Sequence, residues 1–92
     1  SEICIALDLE ATGMDPVRDE IIEIGAVKFR GNKIIDRFES LVRPSGPVSL
    51  AVRSLTGLAN DDLRKAPLFA QVAPKLRDFV KQREPRPAEV RP

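Results

Sequence analysis

The chain has 92 residues, with 15 Lys or Arg against 14 Asp or Glu, a net charge of +1, and 42% apolar residues. That balance gives no electrostatic case for wrapping nucleic acid or sitting on an anionic membrane and leaves only a local basic patch open, and no apolar stretch approaches the roughly 20 residues of a membrane span. A single cysteine, Cys4, excludes an internal disulfide, and the absence of His, Tyr and Trp excludes an imidazole or phenol base from these residues.

The length fits one small domain or a piece of a larger one. The first residues are acidic and lack the basic region of a secretory signal, so a cytoplasmic location is expected. Ile3 to Leu9 is apolar at both alternating sets of positions until Asp8. That pattern predicts a central strand covered on both sides, with Cys4 a small buried hydrophobe. Gly13 to Asp19 is turn material, and Asp15, Asp19 and Glu20 read as solvated turn residues. Glu20 to Arg30 is a second strand. Ile22, Ile24 and Ala26 share one face, and Ile21, Gly25, Val27 and Phe29 share the other, so it too is expected to be buried on both.

Gly31-Asn32 between two β-rich runs is a hairpin signal. It leads to a third strand over Lys33 to Arg43, with Ile34, Phe38 and Val42 on one face and Arg37, Glu39 and Arg43 on a wet one. Short connections make the three strands successive antiparallel neighbours. Pro44 to Pro47 ends the sheet segment. A short helix is predicted over Val48 to Leu55, with Gly57 as its C-cap. Asn60 is read as the cap of a second helix, with Asp61 and Asp62 in its first turn. Pro67 opens a third helix, whose stripe of Phe69, Val72, Leu76, Phe79 and Val80 packs on the sheet. Pro74 within it is expected to kink or split the helix. From Lys81 the chain alternates charge and proline. The expected division is an ordered part over 1–82 and a mobile proline-rich tail over 83–92.

Asp8 and Glu10 are the most informative residues. Strand side chains alternate with period two, so both acids point the same way. Two carboxylates at the end of a buried strand repel each other and lose hydration. A divalent cation offsets both costs, since Mg²⁺ and Mn²⁺ prefer carboxylate oxygens. Thr12 and Gly13 follow, offering a hydroxyl, backbone donors and an open approach.

The segments Ile5-Ala-Leu-Asp-Leu-Glu-Ala-Thr-Gly13 and Asp19-Glu-Ile-Ile-Glu-Ile-Gly-Ala-Val-Lys-Phe29 resemble the opening of the DnaQ-like (DEDD) exonuclease family. That family includes the proofreading epsilon subunit of bacterial DNA polymerase III and exonuclease domains fused to helicases. Val42-Arg-Pro, Leu55-Thr-Gly-Leu-Ala-Asn-Asp-Asp-Leu63, Ala66-Pro-Leu-Phe-Ala-Gln-Val72 and Leu76-Arg-Asp-Phe79 continue the likeness in order over about residues 3–82. The resemblance implies an α/β, ribonuclease H-like fold whose first three strands are antiparallel neighbours in a mixed sheet. It implies a metal-dependent 3′–5′ exonuclease of DNA replication or repair acting on a nucleic-acid 3′ end. Single-stranded DNA is the favoured substrate, and RNA is left open.

By resemblance, Asp8 and Glu10 are the first two of four acidic ligands of two Mg²⁺ or Mn²⁺ ions. A pair of ions about 3.5–4 Å apart holds both the attacking and the departing oxygen of an in-line displacement. Thr12 and Gly13 correspond to a nucleotide-contacting turn, and Thr56-Gly57 to a second substrate-facing element. The family places no ligand at Glu23, which reads first as a structural glutamate and otherwise as a group behind the metal ligands. The family's later aspartates, and the His or Tyr base five residues before the last, have no counterpart. Asp61, Asp62 and Asp78 fit neither missing position. The expectation is an N-terminal piece of an exonuclease domain, inactive alone. The alternative is a catalytically incomplete homologue acting as an interaction module. With only strand two beside it, strand 3–9 is expected to offer an open edge to a second copy, as in a homodimer, or to the missing half.

Overall fold

The structure is a computed structural model that describes residues 2–82; the expected proline-rich tail, 83–92, lies outside the described residues. Three strands, β1 (Ile3–Ala11), β2 (Ile21–Arg30) and β3 (Lys33–Leu41), form one antiparallel sheet in the order β1-β2-β3. Three helices follow, α1 (Leu50–Thr56), α2 (Asn60–Arg64) and α3 (Phe69–Lys81). The β2–β3 hairpin turns on Gly31-Asn32, as the sequence predicts. Of these two residues Gly31 has the positive φ, +61°, the conformation that a two-residue turn with glycine first demands.

β2 buries Ile22, Ile24, Ala26 and Lys28 at alternate positions. α3 lies against this face. Val72 and Phe79, with half-buried Leu76, pack on Ile24, Ala26, Phe38 and Val42. The Phe38 and Phe79 rings meet at 5.7 Å in a tilted arrangement. Each such side chain contributes about 1.5–3 kcal/mol on burial. Phe69 and Val80 of the expected stripe stay about half exposed. Helix α3 runs unbroken through Pro74, contrary to expectation. The proline removes the donor that would reach the Ala70 carbonyl, and Ala70 is exposed, a place where solvent access keeps the cost of the lost bond low.

A second cluster joins Ile22 to Val48 and Leu63, flanked by Leu41, Val52 and Leu58. Asn60 is not the cap of α2. Ala59 is, and Asn60 instead clamps Val48 by accepting its N–H at 2.9 Å. Pro67 precedes α3 by two residues rather than opening it, and its carbonyl accepts the Arg43 N–H at 2.8 Å.

Three expectations about burial fail for one reason: among the described residues, the second face of the sheet and the far edge of β1 have no cover. Ile21, Gly25, Val27 and Phe29 are half-buried, not buried. β1 is an edge strand, with Leu7 55% and Leu9 43% exposed. Cys4 on it is exposed too. The open edge itself agrees with the sequence reading. A register shift between Lys28 and Phe29 leaves Ile35 unpaired and swings Ile34 opposite Phe29. This bulge moves Ile34 off the Phe38 face and leaves it 49% exposed.

Candidate active site

The uncovered face carries the acids. In the β1–β2 register Asp8 lies opposite Gly25, and Glu10 opposite Glu23. In the β2–β3 register Gly25 lies opposite Glu39. Paired residues share a face, so Asp8, Glu10, Glu23 and Glu39 all project on the same side of the sheet. They line a depression of about 230 Å³ whose floor is Gly25 and the Ile24 backbone strand. Gly25 adds no side chain to this floor, so Asp8 and Glu39 face each other across two strand spacings, about 10 Å.

Asp8 is exposed and Glu10 half-buried, so the pair is hydrated rather than buried as the sequence implied. The cause is the edge position of β1. What survives is the repulsion. Glu10 and Glu23 stand directly across the ladder, where like charges destabilise the pairing. An oxygen-only donor set with excess negative charge fits a hard divalent cation. Among the described residues no group of three His, Cys, Asp or Glu side chains is gathered closely enough to hold an ion. Asp8 and Glu10 are two carboxylates on that face. Glu23, read first as structural, shares their depression. Glu39, read as a wet-face charge, joins them only through the register across Gly25, which no local pattern reveals.

The strand ends in a bonded turn. The Thr12 N–H donates to the Glu20 carbonyl at 2.9 Å, and the Thr12 hydroxyl accepts the Glu20 N–H at 2.9 Å and donates to Asp19 Oδ1 at 3.0 Å. Asp19 and Glu20 are therefore structural, not merely solvated. Glu20 also accepts from the Ser45 N–H and hydroxyl, tying the turn to the loop after β3. Thr12 and Gly13 thus sit immediately beyond the carboxylate pair.

Thr56 and Gly57 do not line the depression. The Thr56 hydroxyl donates to the Val52 carbonyl at 2.8 Å and accepts the Leu58 N–H at 3.2 Å. Gly57 is the C-cap of α1, with φ +74° and its N–H on the Arg53 carbonyl. A larger hollow of about 420 Å³ opens between Arg43–Pro47 and α2, and contains none of the four acids.

A family model described as exonuclease (RNase_T) matches residues 5–87. The PolC-type DNA polymerase III of Caldanaerobacter subterraneus subsp. tengcongensis is 44% identical over 77 residues, covering 84% of this chain and 6% of the polymerase. The DNA polymerase III subunit epsilon of Aquifex aeolicus is 36% identical over 76 residues, covering 83% of this chain and 38% of that subunit. Among solved structures, the nuclease domain of 3′hExo, a DEDDh family member bound to rAMP, superposes with a TM-score of 0.76 at 33% identity. It is matched over 86% of this chain and 44% of that domain. The chain therefore spans less than half the length of each of these relatives, and its three antiparallel strands and helices correspond to part of their fold. With its carboxylate pair, strand order and family match in agreement, the chain belongs to the RNase_T (DEDDh) exonuclease family.

Proposed function

We propose that this chain contributes the first half of the metal site of a 3′–5′ exonuclease domain, with Asp8 and Glu10 as metal ligands. The observation that carries the reading is the placement of both acids on one open face of the sheet, immediately before the Thr12–Gly13 turn. Bound Mg²⁺ or Mn²⁺, two ions in the complete domain, would supply Lewis-acid stabilisation of the phosphodiester and an activated water. Asp8 and Glu10 hold the cation and offset its charge. Glu23 adds negative potential from across the ladder. Thr12 and Gly13 meet the terminal nucleotide. Thr56 and Gly57 act mainly by ending α1, which weakens their assignment to substrate.

Single-stranded DNA is the proposed substrate, by analogy with relatives named as DNA polymerases. RNA is the competing substrate, by analogy with a relative whose structure concerns a histone mRNA stem-loop. A cytoplasmic site of action fits either. No described helix is long and apolar enough to cross a membrane. The 92 residues contain no His or Tyr, so the chain by itself lacks the family's general base and is proposed to be inactive alone.

The test is complementation. The chain is mixed with the C-terminal part of a PolC-type exonuclease domain and given 5′-labelled single-stranded DNA with Mn²⁺. Stepwise shortening from the 3′ end, abolished by Asp8→Ala, is expected. Robust hydrolysis by the chain alone, also lost on Asp8→Ala, would overturn the inactivity claim. No shortening in the mixture would count against the exonuclease reading. A second reading, an interaction module, is favoured by one observation, the free β1 edge with exposed Leu7 and Leu9. Binding of a folded partner that survives Asp8→Ala and is lost on Leu7→Lys would support it.

A further inference from the structure

Asp19 has a structural role in the turn, and each of its carboxylate oxygens accepts a hydrogen bond there. Oδ1 accepts the Thr12 hydroxyl at 3.0 Å, and Oδ2 accepts the Asp15 N–H at 2.9 Å. The Thr12 hydroxyl also accepts the Glu20 N–H at 2.9 Å. A hydroxyl has one proton to give and two lone pairs. Its proton goes to Asp19 and one lone pair to Glu20, so Thr12 has a single acceptor position left for anything that approaches. The Asp19 carboxylate also rests against the bare backbone of Gly13. A Cβ built on Gly13 would lie 2.7 Å from Asp19 Cγ and 2.8 Å from Oδ1. Only glycine permits this approach.

We propose that Asp19 is a positioning residue for substrate: its carboxylate fixes the Thr12 hydroxyl and the Gly13 backbone beside the metal carboxylates. The proposal rests on the reading above, in which this turn meets the terminal nucleotide. Asp19 touches neither ion nor nucleotide and acts through Thr12 and Gly13. A bond to a carboxylate is charge-assisted, which makes it a stiff tether for a turn. Sites of this kind demand placement within about 0.5 Å. The Thr12 side chain thereby meets substrate as an acceptor only, and any donor to a phosphate oxygen must come from the backbone.

The experiment uses the 92-residue chain and a 5′-fluorescein hexathymidylate with a free 3′-hydroxyl. Anisotropy is read in Ca²⁺, and Mn²⁺ affinity is measured in parallel by calorimetry. Asp19→Ala is expected to weaken oligonucleotide binding about tenfold, the worth of one charge-assisted hydrogen bond. Mn²⁺ affinity is expected to stay within about twofold, since Asp8 and Glu10 are untouched. Asp19→Asn, which keeps an acceptor for Thr12, is expected to recover part of the loss. Gly13→Ala is expected to weaken binding too. The double variant Gly13→Ala/Asp19→Ala is expected to be no weaker than Asp19→Ala alone, because the colliding carboxylate is gone. Unchanged oligonucleotide affinity in Asp19→Ala overturns the proposal. So does parallel loss of oligonucleotide and Mn²⁺ affinity, which marks a general folding role. A wild-type chain that binds Mn²⁺ but no oligonucleotide overturns this inference alone, whereas one that binds no Mn²⁺ overturns the functional reading and this inference with it.

Discussion

Lys28 and Phe79 are joined twice: the Lys28 ammonium donates to the Phe79 carbonyl at 2.6 Å and lies 4.4 Å from the Phe79 ring centroid. Lys28 is fully buried, and its Nζ also donates to the Gln82 carbonyl at 2.5 Å. These carbonyls end α3, where unsatisfied acceptors and the helix dipole favour a cation. A buried charge is thereby turned into the pin that holds α3 on the sheet.

Lys28→Ala removes the pin and leaves a void. The expected loss is about 3 kcal/mol, combining cavity and orphaned carbonyls. That is a large part of the stability of a domain this small. Lys28→Met keeps the stem and loses only the ammonium, at an expected cost of about 1–2 kcal/mol. Urea unfolding of the three proteins checks the order. Equal midpoints would show that the pin contributes nothing.

The carboxylate face predicts stability linked to metal. Mg²⁺ or Mn²⁺ is expected to stabilise the wild-type chain by about 2.7 kcal/mol at a hundredfold excess over Kd, and so to raise its unfolding midpoint. EDTA is expected to reverse the gain. Asp8→Asn and Glu10→Gln are expected to abolish the response. Glu23→Gln is expected to keep most of it, and to stabilise the metal-free chain by a few tenths of a kcal/mol by relieving the repulsion with Glu10. Thermal melts with and without ion read each of these. A wild-type midpoint indifferent to both ions removes Asp8 and Glu10 from the ligand role.

The common face of Asp8 and Glu10 was legible because strand alternation is a local rule. Gly31-Asn32 and Gly57 were legible because positive φ selects glycine. The features missed depend on distant fits. Ile34 is in phase with Phe38 by counting, but the extra residue at Ile35 reverses its face. Lys28 reads as a polar break in an apolar strand, and the two carbonyls that it donates to lie 51 and 54 residues further on. Glu39 reaches the carboxylate face only through the three-strand row Asp8, Gly25, Glu39. β1 reads as covered because its composition suits a central strand, while the described residues cover only part of it.

Gly57 separates a structural role from a substrate role for the Thr56–Gly57 pair. Its φ of +74° disfavours any residue with a Cβ. Gly57→Ala is expected to cost about 1 kcal/mol in urea unfolding, without loss of Mn²⁺ affinity. A fall in oligonucleotide affinity at unchanged stability would restore this pair to the substrate site.

The two outer strands of the sheet differ in how they meet solvent. β3 carries exposed Lys33, Arg37 and Glu39, and outward charge discourages a further strand from pairing. β1 has no charge from Ile3 to Leu7, and Leu7 and Leu9 are exposed beside its free edge. Unpaired N–H and C=O groups flanked by apolar side chains are a template for strand addition. The chain is therefore expected to self-associate through β1 as its concentration rises. Sedimentation velocity over a wide concentration range is expected to show the larger species for the wild type. The double substitution Leu7→Lys and Leu9→Lys is expected to return it to a monomer. Ile34→Lys, which adds charge at an equally exposed position on β3, is expected to leave the association unchanged. Were Ile34→Lys as effective as the β1 pair, the contact would lie on general surface hydrophobicity and not on the strand edge.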